Sequence, residues 1–202
     1  MNFITSLAPQ LLKQHPKKIV ISGPSGFLGS RVVDTLINVQ QHRRDHGLEP
    51  GELMLLSSSP GTMMERLVQK YGQAKMSSIR ASRVDYYTQH KHVVWTDHLG
   101  SLGCSGADSV FINMAAVSGP QPEKSKDAMM DVNYKAAVSA ASACQTLGFG
   151  HFIQSSTQAT NTERAGQVPY SRMSSPPLQI VHPLPLQSIF LIFILKRWKS
   201  NG

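Results

Sequence analysis

The apolar positions of this chain fall into short runs separated by longer segments of mixed polarity. Four runs have the length and composition of buried strands, at 18–22, 53–56, 110–114 and 151–154. A fifth, weaker strand is expected within 79–87, around Val84. Residues 88–105 show no clear period and remain ambiguous between helix and loop.

Three of the intervening segments repeat their apolar residues at helical spacing. The first presents Leu28, Val32, Leu36 and Val39, and it ends by Gly47, Pro50 and Gly51. The second presents Met63, Met64, Leu67, Val68 and Tyr71. The third spans 127–147, presents Val132, Ala136, Ala140 and Leu147, and ends at Gly148 and Gly150. Strands that alternate with helices predict an α/β fold built on a doubly wound parallel sheet.

The composition is that of one globular domain with short appendages. The chain has 202 residues, of which 41% are hydrophobic and 16% charged, so a disordered protein is excluded. Its longest apolar stretch, 189–195, is far shorter than the ~20 residues that span a bilayer. Pro9 interrupts the weakly apolar N-terminal stretch, so no signal peptide is expected. The chain has only two cysteines, which we interpret as small buried residues. Because so few cysteines do not suggest a disulfide framework, a cytoplasmic or other reducing compartment is expected.

The formal net charge of +8 raises the question of a nucleic-acid partner. Half of this excess lies after residue 171, in a segment that has no acid and carries Arg172, Lys196, Arg197 and Lys199. The rest is spread thinly, and no basic stripe with interleaved aromatic residues is visible. No nucleic-acid partner is therefore predicted, and contact of the tail with a membrane surface is disfavoured.

Three histidines in the ambiguous segment raise the question of a metal site. His90, His92 and His98 lie close to Asp97 in the sequence. A metal site needs ligands fixed together on one face and supported by further hydrogen bonds. No such cluster accompanies them, so we interpret them as part of a polar surface turn and predict no metal.

The most informative motif joins the first strand to the first helix. Gly23, Gly26 and Gly29 follow the strand directly, with spacing Gly-x-x-Gly-x-x-Gly. The first glycine permits a tight turn, the second lets backbone approach a diphosphate, and the third allows close packing of the helix. The free amides at the helix N-terminus would bind the phosphates. The alternative is a tight turn without a ligand.

This motif, with Ser155, Ser156 and Thr157 after the fifth strand and the later Tyr170, resembles the short-chain dehydrogenase/reductase superfamily. The closest likeness is to its extended and atypical branch, the NAD-dependent epimerase/dehydratase type, over 17 to about 173. The resemblance implies a Rossmann-type NAD(P)-binding domain at 17–173, preceded by an extension at 1–16 and followed by an atypical tail at 174–202. It also implies a nicotinamide dinucleotide partner and an unidentified small-molecule substrate. Relatives often form homodimers through the helices after the fourth and fifth strands, but one of these helices has no counterpart here, so the oligomeric state is left open.

The resemblance also assigns roles to individual residues. Gly23, Gly26 and Gly29 would hold the cofactor diphosphate, with Phe27 and Leu28 at the turn, and Ser25 would also contact the cofactor. Asp85 would contact the adenine, and Ala115 and Ala116 would flank the cofactor after the fourth strand. Asn133 matches the asparagine of the family's catalytic helix. The general acid/base would be Tyr170, with Thr157 or Ser156 orienting the substrate oxygen.

The catalytic pattern is incomplete in this sequence. Family members have a lysine four residues after the tyrosine, where this chain has Ser174. A phenol with a pKa of ~10 cannot exchange protons efficiently near neutrality without a neighbouring cation. We therefore expect turnover to be severely reduced or absent. The alternative function is a non-catalytic dinucleotide-binding module for interaction or redox sensing.

The composition changes abruptly after Tyr170. Pro176 and Pro177 interrupt the helix that should carry the lysine, and the family's C-terminal strands and substrate lobe have no counterpart. We hypothesise a truncated product whose last thirty or so residues come from another reading frame or exon. The alternative is a divergent family member with a shortened tail.

The end of the second strand bears on the choice of coenzyme. An acid there would bind the ribose hydroxyls of NAD. The strand instead ends at Ser57, Ser58 and Ser59, while Glu49 and Glu52 lie near its start. Serine hydroxyls can bind a phosphate, so NADP is favoured over NAD, although no arginine neighbours the serines in the sequence.

Overall fold

The computed structural model describes residues 16–86, 92–116 and 130–155. Five strands form one sheet: β1 (Lys18–Ser22), β2 (Glu52–Ser57), β3 (Ile79–Arg83), β4 (Ser109–Asn113) and β5 (His151–Gln154). Their spatial order is β3-β2-β1-β4-β5, and every neighbouring pair is parallel. This confirms the predicted doubly wound sheet. The predicted tail at 174–202 and nearly all of the predicted extension at 1–16 lie outside the described residues.

Helices cover both faces of the sheet. They are α1 (Phe27–Asp45), α2 (Pro60–Tyr71), α3 (His92–Ser101) and α4 (Ala137–Thr146). A short 3₁₀-helix follows α2 at Gln73–Met76, and a π-helical segment, Asp131–Ala136, runs directly into α4. Since both faces are covered, the central strands are buried on both sides and read as continuous apolar runs.

The side chains of successive strand residues point to opposite faces and form two cores. On one face Ile21, Leu53 and Leu55 pack with Val33 and Ile37 of α1. On the other face the buried cluster contains Val20, Leu56, Phe111, Trp95, Leu99, Ala140 and Cys144. Cys104 and Cys144 are both buried, as predicted, and burial raises the pKa of each thiol.

The apolar residues that indicated α1 by their spacing are not the ones that the helix buries most deeply. The helix buries Gly29, Val33, Ile37, Gln40 and Arg43, whereas Leu28 is exposed and Val32, Leu36 and Val39 are half-buried. Both sets have helical spacing, so the spacing alone does not choose between them. The close packing of Gly29 against the preceding turn fixes the rotation of the helix instead.

Several predicted boundaries shift. β4 runs from Ser109 to Asn113, one residue earlier than predicted, and β3 ends at Arg83, just before the buried Val84. The ambiguous segment contains α3, in which half-buried His98 packs edge-on to Trp95, so His98 does not lie in a surface turn. His90 lies outside the described residues.

The predicted inward side of the last helix is confirmed. Val132, Ala136 and Ala140 are buried, and Leu147 is half-buried just beyond the end of α4. The wider π-helical winding at the start of this helix was not predicted, because apolar spacing does not report it.

Candidate nucleotide-binding site

The predicted glycine turn, residues 23–29, lies at the carboxyl end of the central strand. Gly23 follows β1 directly and has a φ of 69°, a conformation that glycine adopts without strain. The turn closes with a hydrogen bond from the Gly26 amide to the Gly23 carbonyl, at 3.2 Å. The Ser30 amide then donates to the Gly26 carbonyl, at 2.8 Å, as the first bond of α1. A strand, a tight turn and a helix thus follow one another as the motif predicts.

The three glycines have different steric surroundings. A Cβ on Gly23 would lie 2.6 Å from the backbone nitrogen of Ala115, so the turn passes close to the end of β4. A Cβ on Gly29 would collide with the carbonyl oxygen of Gly23. A Cβ on Gly26 would make only an ordinary contact, at 3.5 Å. The chain itself therefore requires glycine at positions 23 and 29, and Gly26 leaves space on the outer side of the turn.

The N-terminus of α1 is open to an anion. Its N-cap is Gly26, which offers no side-chain cap, and the first turn has no acidic residue. The first amides of a helix have no partner within the helix, and the helix dipole adds positive potential there. Phe27 and Leu28 are 81% and 56% exposed beside these amides.

Buried polar side chains organise the neighbouring strand ends. Ser22 is fully buried and donates to the Asn113 side-chain oxygen, and the Asn113 amide group donates to Gln154 Oε1 at 2.7 Å. This chain of bonds joins β1, β4 and β5 at their carboxyl ends. Strand order reverses between β1 and β4, which is where ligands bind in open α/β sheets. Sequence reasoning did not identify Asn113 or Gln154.

A cavity of about 680 Å³ opens between the glycine turn, α1, the end of β2 and α2. We call it the α1–α2 crevice. Its polar lining comprises Ser25, Ser30, Arg31, Asp34, Ser57, Ser58, Ser59, Thr62, Arg66 and Lys70. Three of these side chains are cationic and one is anionic, so the lining carries a net positive charge.

Two arginines line the crevice together with the serine run, Ser57 to Ser59. Arg31 comes from the first turns of α1 and Arg66 from the middle of α2, and both line the same cavity as Ser57. No arginine neighbours the serines along the sequence, but two arginines line the same cavity in the fold. Ser57 itself is buried, and its hydroxyl accepts a hydrogen bond from the Ser59 amide at 3.2 Å.

Asp34 links α1 to the C-terminal end of α2 beside the crevice. It accepts hydrogen bonds from the Tyr71 hydroxyl at 2.6 Å and from Lys70 Nζ at 2.8 Å. Burial raises the pKa of Asp34, but the two hydrogen bonds and the positive charges of Lys70 and Arg31 together outweigh burial and hold the pKa below its usual value. Lys70 is thereby drawn toward Asp34, while Arg31 and Arg66 supply the other positive charges of the crevice.

Replacing Asp34 by asparagine should remove an acid-dependent part of the stability. A carboxyl whose pKa is lower in the folded state stabilises the protein above its unfolded pKa, about 4, and loses this effect as the pH falls further. With allowance for solvent screening, we expect Asp34→Asn to cost about 1 kcal/mol at neutral pH and less below pH ~4. Urea denaturation across this pH range measures it. The control is Asp108→Asn, which removes only an exposed ion pair with Lys17. If the unfolding free energies of the two variants depend on pH in the same way, the lowered pKa of Asp34 does not stabilise the fold.

Four of the remaining predicted site residues lie in the described part of the chain, and three lie outside it. Ala115 is buried against the glycine turn, and Ala116 is exposed next to it. Asp85 is exposed two residues after β3. Asn133 is exposed on the π-helical segment. Ser156, Thr157 and Tyr170 lie outside the described residues, so their catalytic roles stay predictions.

The described residues offer neither a metal site nor a membrane-spanning helix. In residues 16–86, 92–116 and 130–155, no three or more His, Cys, Asp or Glu side chains come together as a metal would need. Over the same ranges, every helix is too short or too polar to cross a bilayer.

Comparison with solved structures finds the same fold in dehydrogenases and reductases. A Novosphingobium aromaticivorans protein assigned as a short-chain dehydrogenase matches over 75% of this chain, with a TM-score of 0.54 and 12% identity. A Serratia marcescens short-chain dehydrogenase/reductase variant matches over 73%, with a TM-score of 0.50 and 14% identity. The thiolation-reductase di-domain of an archaeal non-ribosomal peptide synthetase matches over 74%, with a TM-score of 0.50 and 18% identity. No family model and no curated protein sequence matches the chain.

This chain spans only part of each similar structure. It covers 56% of the Novosphingobium chain, 58% of the Serratia chain and 32% of the archaeal chain. At these identities the likeness concerns the fold and not the activity. The described part of the chain has the Rossmann-type α/β fold of short-chain dehydrogenase/reductases.

Proposed function

We propose that this chain binds a nicotinamide dinucleotide, NADP(H) in preference to NAD(H), across the carboxyl ends of its strands. The observation that carries the proposal is the glycine turn at the end of the central strand β1, at the point where strand order reverses. This position and this turn are those at which doubly wound sheets bind dinucleotides.

The diphosphate would lie over the N-terminus of α1. The uncapped amides there, the absence of an acid in the first turn and the space outside Gly26 all suit a dianionic group. Ser25 would add a hydroxyl, and the exposed Phe27 and Leu28 would be partly covered by the ligand. The steric surroundings of Gly23 and Gly29 make this turn a fixed part of the fold.

The adenosine half would enter the α1–α2 crevice. Arg31 and Arg66 line the crevice together with the serine run at the end of β2, where the ribose of a bound dinucleotide would lie. Guanidinium groups bind phosphate through paired, charge-assisted hydrogen bonds, which favours a ribose carrying a 2′-phosphate. Asp85 would contact the adenine from the β3 side, and Ala115 and Ala116 would leave room for the cofactor beyond β4.

The catalytic residues match the family pattern less completely than the cofactor-binding residues do. In an oxidoreductase or epimerase of this type, Tyr170 would exchange the proton, assisted by Thr157 or Ser156 and by Asn133. Ser174 stands where the lysine that lowers the tyrosine pKa is expected. This substitution favours the second candidate function, a dinucleotide-binding module for interaction or redox sensing that turns over little or no substrate.

Titration of the full chain with NADPH and NADH, followed by nucleotide fluorescence, tests the proposal. We expect NADPH to bind at least about 100-fold more tightly than NADH, because Arg31 and Arg66 would each bond its 2′-phosphate. Oxidation of NADPH with a panel of aldehydes, ketones and sugar nucleotides should stay far below the usual range of about 1–10³ s⁻¹. Failure of both nucleotides to bind folded protein would overturn the proposal. Ordinary turnover would overturn only its non-catalytic part.

A further inference from the structure

Tyr86 forms a bridge beneath the glycine turn. Its hydroxyl accepts a hydrogen bond from the Gly23 amide at 2.7 Å and donates one to the Leu56 carbonyl at 2.8 Å. Its ring packs against the buried cluster that contains Val20 and Leu56. One side chain thus connects the residue after β1, a residue of β2 and the segment that follows β3.

The bridge stands where the pairing of β1 with β2 stops. Ser22 is paired with Leu56 in the parallel ladder, and Gly23 is the next residue along β1. In a parallel ladder, the amide after a paired residue can donate to a carbonyl on the neighbouring strand. The Tyr86 hydroxyl takes the position of such a bond, accepting from the amide and donating to the carbonyl. It therefore acts as a spacer between the two strand ends.

Gly23 is fixed from both sides. The Tyr86 hydroxyl holds it on the β2 side, and the backbone of Ala115 lies against it on the β4 side. Both the glycine turn and the serine run that follows Leu56 begin at this bridge, and residues of both segments line the α1–α2 crevice.

We infer that Tyr86 is a positioning residue that sets the separation of the glycine turn from the end of β2, and with it the fit of the adenosine half of the ligand. The inference rests on the proposed function, since it names a residue that shapes the same site. Burial raises the pKa of Tyr86 to about 12, so the hydroxyl keeps the proton that it donates to Leu56 at any physiological pH.

Tyr86→Phe in the full chain tests this role, because it removes one oxygen and retains the ring. We expect the dissociation constants of NADPH and of 2′,5′-ADP to rise by the same factor, about tenfold, the equivalent of one hydrogen bond. The control is Ser78→Ala, which removes partly buried hydrogen bonds with Gln40 and Arg44 at the opposite end of the sheet. It should lower stability while leaving both affinities unchanged. Trimethylamine N-oxide, which favours the folded state, is added to all samples if Tyr86→Phe unfolds.

The Gly23 amide gives a second readout that does not depend on a variant. In wild-type protein labelled with ¹⁵N-glycine and ¹³C-carbonyl serine, only the four glycines that follow a serine give the selected signal, at positions 23, 26, 106 and 119. Sequential assignment distinguishes the signal of Gly23 from the other three. We expect this amide to be protected from hydrogen exchange and to shift when 2′,5′-ADP binds. Free exchange of the Gly23 amide, or equal affinities of wild type and Tyr86→Phe, would overturn the role of Tyr86 alone. Failure of wild type to bind NADPH and 2′,5′-ADP would overturn the proposed function first, and this inference with it.

Discussion

Replacing Gly29 by alanine should abolish nucleotide binding and destabilise the fold. The added Cβ would collide with the Gly23 carbonyl oxygen, and it would also lie 3.1 Å from the Cα of Pro24. Both obstacles are backbone atoms, so the collision is relieved only if α1 moves away from the turn. We expect a loss of about 3 kcal/mol of unfolding free energy, at the upper end of overpacking effects. A displaced turn should also raise the dissociation constant of NADPH by about 100-fold or more.

Gly100→Ala is the matched control for this prediction. Gly100 lies in α3, and a Cβ there would meet nothing within 4 Å. Alanine in a helix is favoured over glycine by about 0.5–1 kcal/mol, so this variant should be slightly more stable and bind NADPH normally. Urea denaturation and fluorescence titration of both proteins measure the two effects. If Gly29→Ala binds NADPH as tightly as wild type, the glycine turn is not the diphosphate site.

The order of strands and helices could be predicted because each strand is a short, nearly continuous apolar run. β1, β2 and β4 are buried on both faces, and such strands remain visible in the sequence without any knowledge of their neighbours. The glycine turn was equally local, since all of its residues are consecutive. The site at the end of β1 therefore followed from adjacent positions alone.

The rotation of α1 could not be predicted from the same pattern. Val32 and Val33, and likewise Leu36 and Ile37, are adjacent apolar pairs, so two helical faces one position apart have nearly equal hydrophobicity. The contact of Gly29 with the turn selects the face that carries Val33 and Ile37. A steric requirement at one end of the helix thus determines which residues enter the core.

The cationic groups of the crevice were missed for a different reason. Arg31 and Arg66 are separated by 34 intervening residues and line the same crevice only because α1 and α2 pack on the same face of the sheet. Tyr86 likewise reaches Gly23 through the packing of β3 beside β2. Such groups could be found by asking which basic or polar residues the predicted topology brings to the ends of neighbouring strands.

Replacing both Arg31 and Arg66 by alanine should remove the preference for NADPH over NADH. Each guanidinium that bonds a 2′-phosphate contributes about 1.5–3 kcal/mol, so losing both should weaken NADPH binding by at least about 100-fold. NADH lacks this phosphate, and its dissociation constant should change by less than about threefold. The effect should also reduce the salt dependence of NADPH binding, because two charges facing the ligand are gone. Fluorescence titrations with both nucleotides, at low and high salt, measure all three quantities.

The control for the lost charge is the double variant Arg44→Ala with Arg80→Ala. Arg44 donates to Ser78, and Arg80 pairs with Glu52, at the amino end of the sheet and away from the crevice. This variant has the same net charge as the first, so general electrostatic attraction falls equally in both. If NADPH affinity falls equally in the two double variants, the arginines act through net charge and not through a phosphate contact. If NADH binding falls as much as NADPH binding in the crevice variant alone, Arg31 and Arg66 contact a group common to both nucleotides, and the preference for NADP has another origin.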